Sequence, residues 1–144
     1  MTNKTNVWAR RKSRRALVQA VYQWQLAADS YSRIAEDFHA GEALNKADKA
    51  FFTEILQHVI HHADELDQHF APLLDRQIEQ LDHVERAILR LATVEFSSRI
   101  DVPYKVVIDE YVELAKTFGA QDSHKYINGV LDKLASNLRE LETR

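Results

Sequence analysis

Apolar residues recur along most of this chain at spacings of three and four, the period of a helix packed on one side. Leu17, Val21 and Trp24 give the first such row, and Ile34 and Phe38 a short second one. The row Phe52, Ile55, Leu56, Val59, Ala63, Leu66 and Phe70 predicts a long helix from about Asp48 to His69. Leu74, Ile78 and Leu81 follow Pro72, a residue the first turn of a helix tolerates, and predict a further short helix. Val84, Ala87, Ile88, Leu91 and Ala92 form the most regular row, and small alanines beside large aliphatics suit a central helix with close neighbours. Tyr104, Val107, Ile108, Tyr111, Leu114, Ala115 and Phe118 supply another row, and Ile127, Val130, Leu131, Leu134, Leu138 and Leu141 the last. No stretch alternates with a two-residue period long enough for a strand. The pattern predicts an all-α fold, a compact bundle of about six or seven helices.

Polar residues mark the breaks. Asp29 and Ser30 offer a break after the first helix, and Ser32 is the expected N-cap of the second. Residues 40–47, with Gly41 and Asn45, are the most loop-like interior stretch. Asp82 is the expected cap of the central helix, Pro103 separates that helix from the next, and Gly119 offers a stop. Asp122 and Ser123 both qualify as caps for the last helix. Gly129 inside that helix costs about 1 kcal/mol relative to alanine and predicts close approach by another helix. Glu95 falls on the central apolar row and is expected to be a paired structural carboxylate, because unpaired burial is costly. The expected organisation is one helical domain over residues 1–144, with residues 1–9 as a flexible extension.

Composition narrows the chemistry. The 144 residues are 45% apolar and 28% charged, enough apolar content for a substantial core. There is no cysteine, which excludes disulfides, thiolate metal sites and cysteine nucleophiles and is compatible with the cytosol. No apolar run approaches the roughly 18 residues of a membrane span, and the N-terminus lacks the apolar core of a secretory signal. The Arg-rich start shares its composition with transit peptides, but Trp24 and its row read as mature core. His58 and His62, four apart, lack the glutamate of HExxH and a visible third ligand, so the cluster with His61 and His69 reads as a solvated helix face. With no glycine-rich phosphate loop, no GxSxG and no triad-like spacing, neither an enzyme nor a cofactor is expected.

The charge balance is uneven. Net charge is −3, yet the first fifteen residues carry six cations and no acid, leaving 13 Lys and Arg against 22 Asp and Glu in the remainder. A +6 tip on a −9 body suggests a polyanion bound in one place and a basic partner elsewhere. Within the tip, Arg10, Arg11, Lys12, Arg14 and Arg15 open the first helix, where the macrodipole would favour acids. Arg10 and Arg14 continue the apolar row backwards, while Arg11, Arg15, Val18 and Tyr22 form a second stripe. Cations beside an aromatic ring suit single-stranded RNA, with phosphates held by charge and bases by stacking. Trp24 is expected in the core, and Tyr22 stands open between core and base contact. A DNA-reading helix-turn-helix would need a cationic recognition helix after a tight turn, and only the first helix is strongly basic.

The stretches RRKSRRALVQAVYQWQL, VERAILRLATVEF and DVPYKVVIDEYVELAKTFGAQDSHKYINGVLDKLA together closely resemble the NusB family of bacterial transcription antitermination proteins. The likeness runs from about Arg10 to Leu138 and is weakest between Ser30 and Asp48. It implies a cytoplasmic, all-helical RNA-binding protein that binds boxA-type single-stranded RNA together with NusE, the small-subunit ribosomal protein that doubles as a transcription factor. The implied complex joins RNA polymerase with other Nus factors and suppresses premature termination, notably on ribosomal RNA operons. The family's RNA surface maps onto Arg10, Arg11, Lys12 and Arg14, and at the last helix onto Asp122, Lys125 and Tyr126. Tyr126 stands where many relatives carry Phe, so stacking survives with a hydroxyl added, whereas Arg15 stands where relatives often carry an acidic or neutral residue. Asp122 is expected both to cap the last helix and to limit RNA affinity by repelling phosphate. Glu79 and Glu85 are the candidates for the acidic surface that faces the ribosomal protein. Some members self-associate, so a homodimer is among the implied states. Two rivals stand beside this reading: a purely protein-binding helical module, and the similar helical domain that precedes the catalytic domain of some ribosomal RNA cytosine methyltransferases, a catalytic domain for which these 144 residues are expected to leave no room.

Overall fold

The seven α-helices among the described residues are α1 (Lys4–Ala27), α2 (Tyr31–Ala40), α3 (Lys49–Phe70), α4 (His83–Ser98), α5 (Tyr104–Phe118), α6 (Ser123–Leu138) and the single turn α7 (Glu140–Thr143). This computed structural model describes residues 4–144, with side chains from residue 6 onward, and these residues include no strand. Helix α1 takes in residues 4–9 of the expected extension, and residues 1–3 lie outside the described residues. The chain forms two compact units, Met1–His61 and His62–Arg144. The division falls within α3, at His62, whose dihedrals (φ −132°, ψ 27°) are not helical.

In the first unit, α1 packs on α2. Leu17, Val18, Ala20 and Val21 are buried, as are Ile34 and Ala35 of α2 and Phe51, Phe52, Ile55, Leu56 and Val59 of α3. Helix α1 ends with Ala28 in the left-handed region (φ 54°), its N–H bonded to the Trp24 carbonyl at 2.8 Å. The cap of α2 is Ser30, whose hydroxyl accepts from the Arg33 N–H at 3.2 Å, and not Ser32. Starting two residues earlier places Tyr31 at the first helical position and leaves Ser32 in solvent. Asp48 caps α3, accepting from the Phe51 N–H at 3.0 Å.

In the second unit, α4, α5 and α6 pack pairwise. Helix α4 is buried continuously from Ala87 to Phe96, as expected of a central helix. Its start carries a reciprocal capping box: the Asp82 carboxylate accepts from the Glu85 N–H at 2.7 Å, and Glu85 accepts from the Asp82 N–H at 3.2 Å. Arg90 holds Asp67 of α3 through two 2.8 Å bonds, a buried fork that ties α3 to α4. Glu95 is fully buried and accepts from the Tyr111 hydroxyl at 2.5 Å, so it is the paired structural carboxylate the pattern predicted.

Three expectations are corrected. Residues 72–81 form no α-helix; Ala71–Leu73 and Ile78–Gln80 are separate 3-10 turns joined by extended backbone at Leu74 and Gln77. A segment this short is held by its local caps, and the Gln77–Gln80 pair restarts the chain before a second α-turn can form. The last helix stops at Leu138 because Arg139 leaves helical geometry (φ −125°, ψ 44°). Its side chain turns inward, and Leu141 is left 83% exposed. Gly129 admits no close helix: a Cβ there would meet nothing within 4 Å.

Candidate nucleic-acid interface

At 100° per residue, the cations of α1 divide between two faces. Arg10 and Arg14 lie on the packed side, their guanidiniums 4.9 and 5.1 Å from the Phe51 ring centre. Arg14 is 4% exposed, and Arg10 sits 3.6 Å from the Asp48 carboxylate. Around them the Ser13 hydroxyl donates to the Asp48 carbonyl at 2.7 Å, and the Asp48 N–H donates to the Ala9 carbonyl at 3.1 Å. The cationic stretch of α1 is therefore fastened to the start of α3 and is not a bare projection. Two of the five cations do this fastening, and because α1 begins at Lys4 the cluster does not open the helix as expected but lies beyond the first turn, where the dipole no longer acts on it.

The other side of α1 is open. Arg11, Lys12 and Arg15 are exposed, and Lys12 reaches the Asn45 carbonyl at 3.0 Å. Tyr22 is 38% exposed and lies two turns beyond Arg15 on the same face. Trp24 is half-buried. The apolar pattern gave no role to Trp8, which is 59% exposed on this face with the Arg11 guanidinium 4.9 Å from its ring centre. The signal that finds it is spacing: Trp8 stands three residues before Arg11 and four before Lys12.

A second group of expected contacts gathers at the start of α6. Gly119 ends α5 in an extended conformation, and a Cβ there would lie 2.6 Å from the Ala115 carbonyl, so only glycine lets the chain turn so closely. Asp122 then takes the left-handed conformation (φ 66°, ψ 0°), and its side chain makes no cap hydrogen bond. The capping expected of Asp122 is thus corrected: in this geometry the carboxylate points away from the helix N–H groups and pairs instead with Lys125 at 3.3 Å. Ser123 is buried and donates its hydroxyl to Glu85 at 2.8 Å, fixing the start of α6 against that of α4.

Lys125 is exposed and Tyr126 half-buried. The Arg76 guanidinium lies 4.0 Å from the centre of the Tyr126 ring and is paired with Asp75 at 2.8 Å. The Arg76 hydrogen bond holds the Asp75 carboxyl below the usual carboxylate range, and that same bond raises the Arg76 pKa. Burial raises the Tyr126 phenol, with the Arg76 charge opposing it. Beside the ring lies a groove of about 260 Å³ lined by Leu73, Asp75, Lys125, Tyr126, Gly129, Val130 and Lys133. Gly129 leaves this groove unfilled, a role different from the helix contact its sequence position predicted.

The two candidates for the acidic surface differ. Glu79 is exposed, whereas Glu85 is 8% exposed and occupied by the Asp82 N–H and the Ser123 hydroxyl. His61 packs on Tyr31, with ring centres 5.9 Å apart, and His62 lies 3.5 Å from Glu65. No group of three His, Cys, Asp or Glu among the described residues could hold a metal ion. No described helix is long and apolar enough to cross a membrane.

Comparison with known proteins agrees with this architecture. Residues 11–136 match the model of the NusB family. The chain is 51% identical to the transcription antitermination protein NusB of Alcanivorax borkumensis over 99% of its own length and 95% of that protein. Identity to the NusB protein of Pectobacterium carotovorum is also 51%, over 92% of this chain and 95% of the relative. Among solved structures, Thermotoga maritima NusB superposes with a TM-score of 0.80 at 28% identity, covering 94% of this chain and 93% of that one. A family match across most of the sequence, near-full-length relatives at half identity and a shared helical fold lead to one conclusion: the chain belongs to the NusB family of transcription antitermination proteins.

Proposed function

We propose that the chain is a cytoplasmic adaptor that binds boxA-type single-stranded RNA together with the ribosomal protein NusE. In this reading it joins the RNA polymerase antitermination complex with other Nus factors and suppresses premature termination, notably on ribosomal RNA operons. It performs no chemical step of its own. The observation that carries the reading is the exposed row Arg11, Lys12 and Arg15 with Tyr22 beyond it, on a helix whose other face packs through Arg14, Leu17, Ala20 and Val21. Cations held along a rigid helix meet successive phosphates, and an exposed ring gives an unpaired base a stacking surface. Lys125 and Tyr126 supply a second contact, Asp122 moderates affinity by repelling phosphate, and Glu79 faces the ribosomal protein. Glu85 serves this arrangement from inside, by fixing where α6 begins. Arg10 and Arg14 serve it by holding α1 in place.

The test is a titration of boxA-type RNA, with and without NusE, against wild type, an Arg11→Ala/Lys12→Ala/Arg15→Ala variant and an Arg14→Ala variant. The triple variant is expected to lose RNA affinity and to show a shallower salt dependence while keeping its Tm, because each lost phosphate contact removes about one released counterion. Arg14→Ala is expected to lose roughly 1–3 kcal/mol of stability instead. Equal RNA affinities for wild type and the triple variant would favour a purely protein-binding module.

A further inference from the structure

The exposed face of α1 does not begin at the cations. Trp8, Arg11, Lys12, Arg15, Gln19 and Tyr22 stand at i, i+3, i+4, i+7, i+11 and i+14, one line along a helix, and all six are exposed. From Trp8 to Tyr22 this line is about 21 Å long at the helical rise. It has an aromatic ring at each end and three cations between. Trp8 is the more open of the two rings, 59% exposed against 38% for Tyr22. An indole is usually among the more buried side chains, so a ring this open at the end of a cationic row points to a ligand. The Arg11 guanidinium, 4.9 Å from the ring centre, limits the ring's rotation. It covers one face and leaves the other accessible. That is the arrangement in which a planar base completes a three-layer stack while the neighbouring cations hold its phosphates.

We propose that Trp8 is a base-stacking residue, and that with Arg11 it extends the RNA track of α1 one turn beyond the arginine cluster. The inference rests on the RNA-binding reading above and deepens it. Tyr22 and Trp8 bracket the phosphate-binding cations, so the strand runs along the helix axis, and the base at the amino-terminal end of α1 sits on Trp8. Because every base has a π-face, this contact adds affinity with little sequence preference. It contributes no counterion release of its own.

The experiment compares boxA-type RNA binding by wild type, Trp8→Ala, Trp8→Phe and Arg15→Ala, each over a range of salt concentrations, with Tm recorded for every variant. A Trp24→Phe background leaves Trp8 as the sole indole, since the chain has two tryptophans, and its fluorescence is followed during the titration. Trp8→Ala is expected to raise Kd roughly tenfold with an unchanged salt slope and Tm, and Trp8→Phe to stay within about threefold of wild type. Arg15→Ala should flatten the salt slope, and RNA should quench Trp8 fluorescence with the same midpoint as binding. If Trp8→Ala binds RNA like wild type while Arg15→Ala does not, the stacking role is wrong and the RNA reading stands. If Trp8→Ala keeps RNA but loses NusE, the ring is a protein contact and the proposal is overturned. If wild type binds no boxA-type RNA with or without NusE, the RNA reading fails and the stacking role fails with it.

Discussion

The Arg76 guanidinium lies 4.0 Å from the centre of the Tyr126 ring, so one face of the ring expected to stack on RNA is already covered by a cation. A base stacking on Tyr126, as proposed, would have to meet the ring from its other face or its edge. The same contact affects ionisation. Burial raises the Tyr126 phenol above its ordinary value, and Arg76, being positive, stabilises the phenolate and draws it partly back. Arg76→Gln removes that opposing charge and leaves the Asp75 carboxylate, which already raises the phenol, uncompensated beside the ring, so the phenol moves further up. The expected outcome in an NMR pH titration of the tyrosine rings is a higher Tyr126 midpoint in the variant. A lower midpoint would show that the guanidinium shields the ring chiefly by burying it.

Arg139 deserves comparison with a helix cap. Its side chain is 4% exposed and donates from Nε to the Phe96 carbonyl at 2.7 Å, and from Nη2 to the carbonyls of Glu95 at 3.1 Å and of Arg99 and Val102 at 2.9 Å each. The Phe96 carbonyl is among the last of α4, at the negative end of its dipole, while the Glu95 carbonyl also takes the Arg99 N–H and the Arg99 carbonyl the Val102 N–H. One planar fork thus closes the central helix and pins the following turn. Arg139→Ala takes the Arg139 donors from the buried Phe96 and Val102 carbonyls and is expected to cost about 3–5 kcal/mol in urea denaturation. Arg139→Lys should recover little of that loss, because an ammonium cannot span the same acceptors from a fixed plane. Near-complete rescue by lysine would mean that charge alone closes the helix.

Glu142 makes part of the same corner sensitive to acid. One carboxylate oxygen accepts from the Tyr104 N–H at 2.8 Å, serving the start of α5, and the other from Arg139 at 2.6 Å. The Tyr104 hydrogen bond first, and Arg139 after it, hold this carboxyl below its ordinary range. A depressed carboxylate stabilises the fold above its unfolded pKa, and the contribution is lost as pH falls through the folded value. Glu142→Gln is therefore expected to lower Tm at neutral pH, with the two curves converging below about pH 4. A constant offset across the whole range would show that the charge plays no part.

The residues that were legible in the sequence, and those that were not, divide by range. Leu17, Phe52, Ile88, Tyr111 and Leu131 declare their helices because burial on one face imposes a local period, and all five are buried. Asp82 was readable as a cap because its partner Glu85 is three residues away. Arg139 was not readable, since its acceptors lie some forty residues earlier, |i−j| 37 to 44. Nor could spacing alone assign Arg10 and Arg14: it placed them on the apolar row, but the ring they cover, Phe51, lies on another helix. Ser32 and residues 72–81 failed for a different reason. There, two local solutions competed and the caps decided: the Ser30 hydroxyl takes the Arg33 N–H, and the Gln77–Gln80 pair restarts the chain. At the interface, the cationic stripe was visible in the sequence, whereas the open ring of Trp8 could be recognised only once its neighbours were placed.

Asp122 combines an unfavourable backbone with an exposed charge. Its left-handed conformation (φ 66°) is forced where the turn from Gly119 meets a helix start held by Ser123, and its side chain makes no cap bond that substitution could break. Asparagine tolerates the left-handed region as well as aspartate does, and glycine enters it without a Cβ penalty. Asp122→Asn is therefore expected to leave Tm unchanged, and Asp122→Gly to leave it unchanged or raise it by the equivalent of about 1 kcal/mol. Both variants remove a negative charge from the end of α6 proposed to meet RNA and release Lys125, its partner at 3.3 Å. Affinity for boxA-type RNA should then rise roughly two- to fivefold, the scale of one exposed charge interaction, and the gain should shrink as salt is added. The two variants check each other: a gain in both at matched Tm assigns the effect to charge. Unchanged or weaker binding by Asp122→Asn with intact helicity would show that phosphate does not approach this carboxylate.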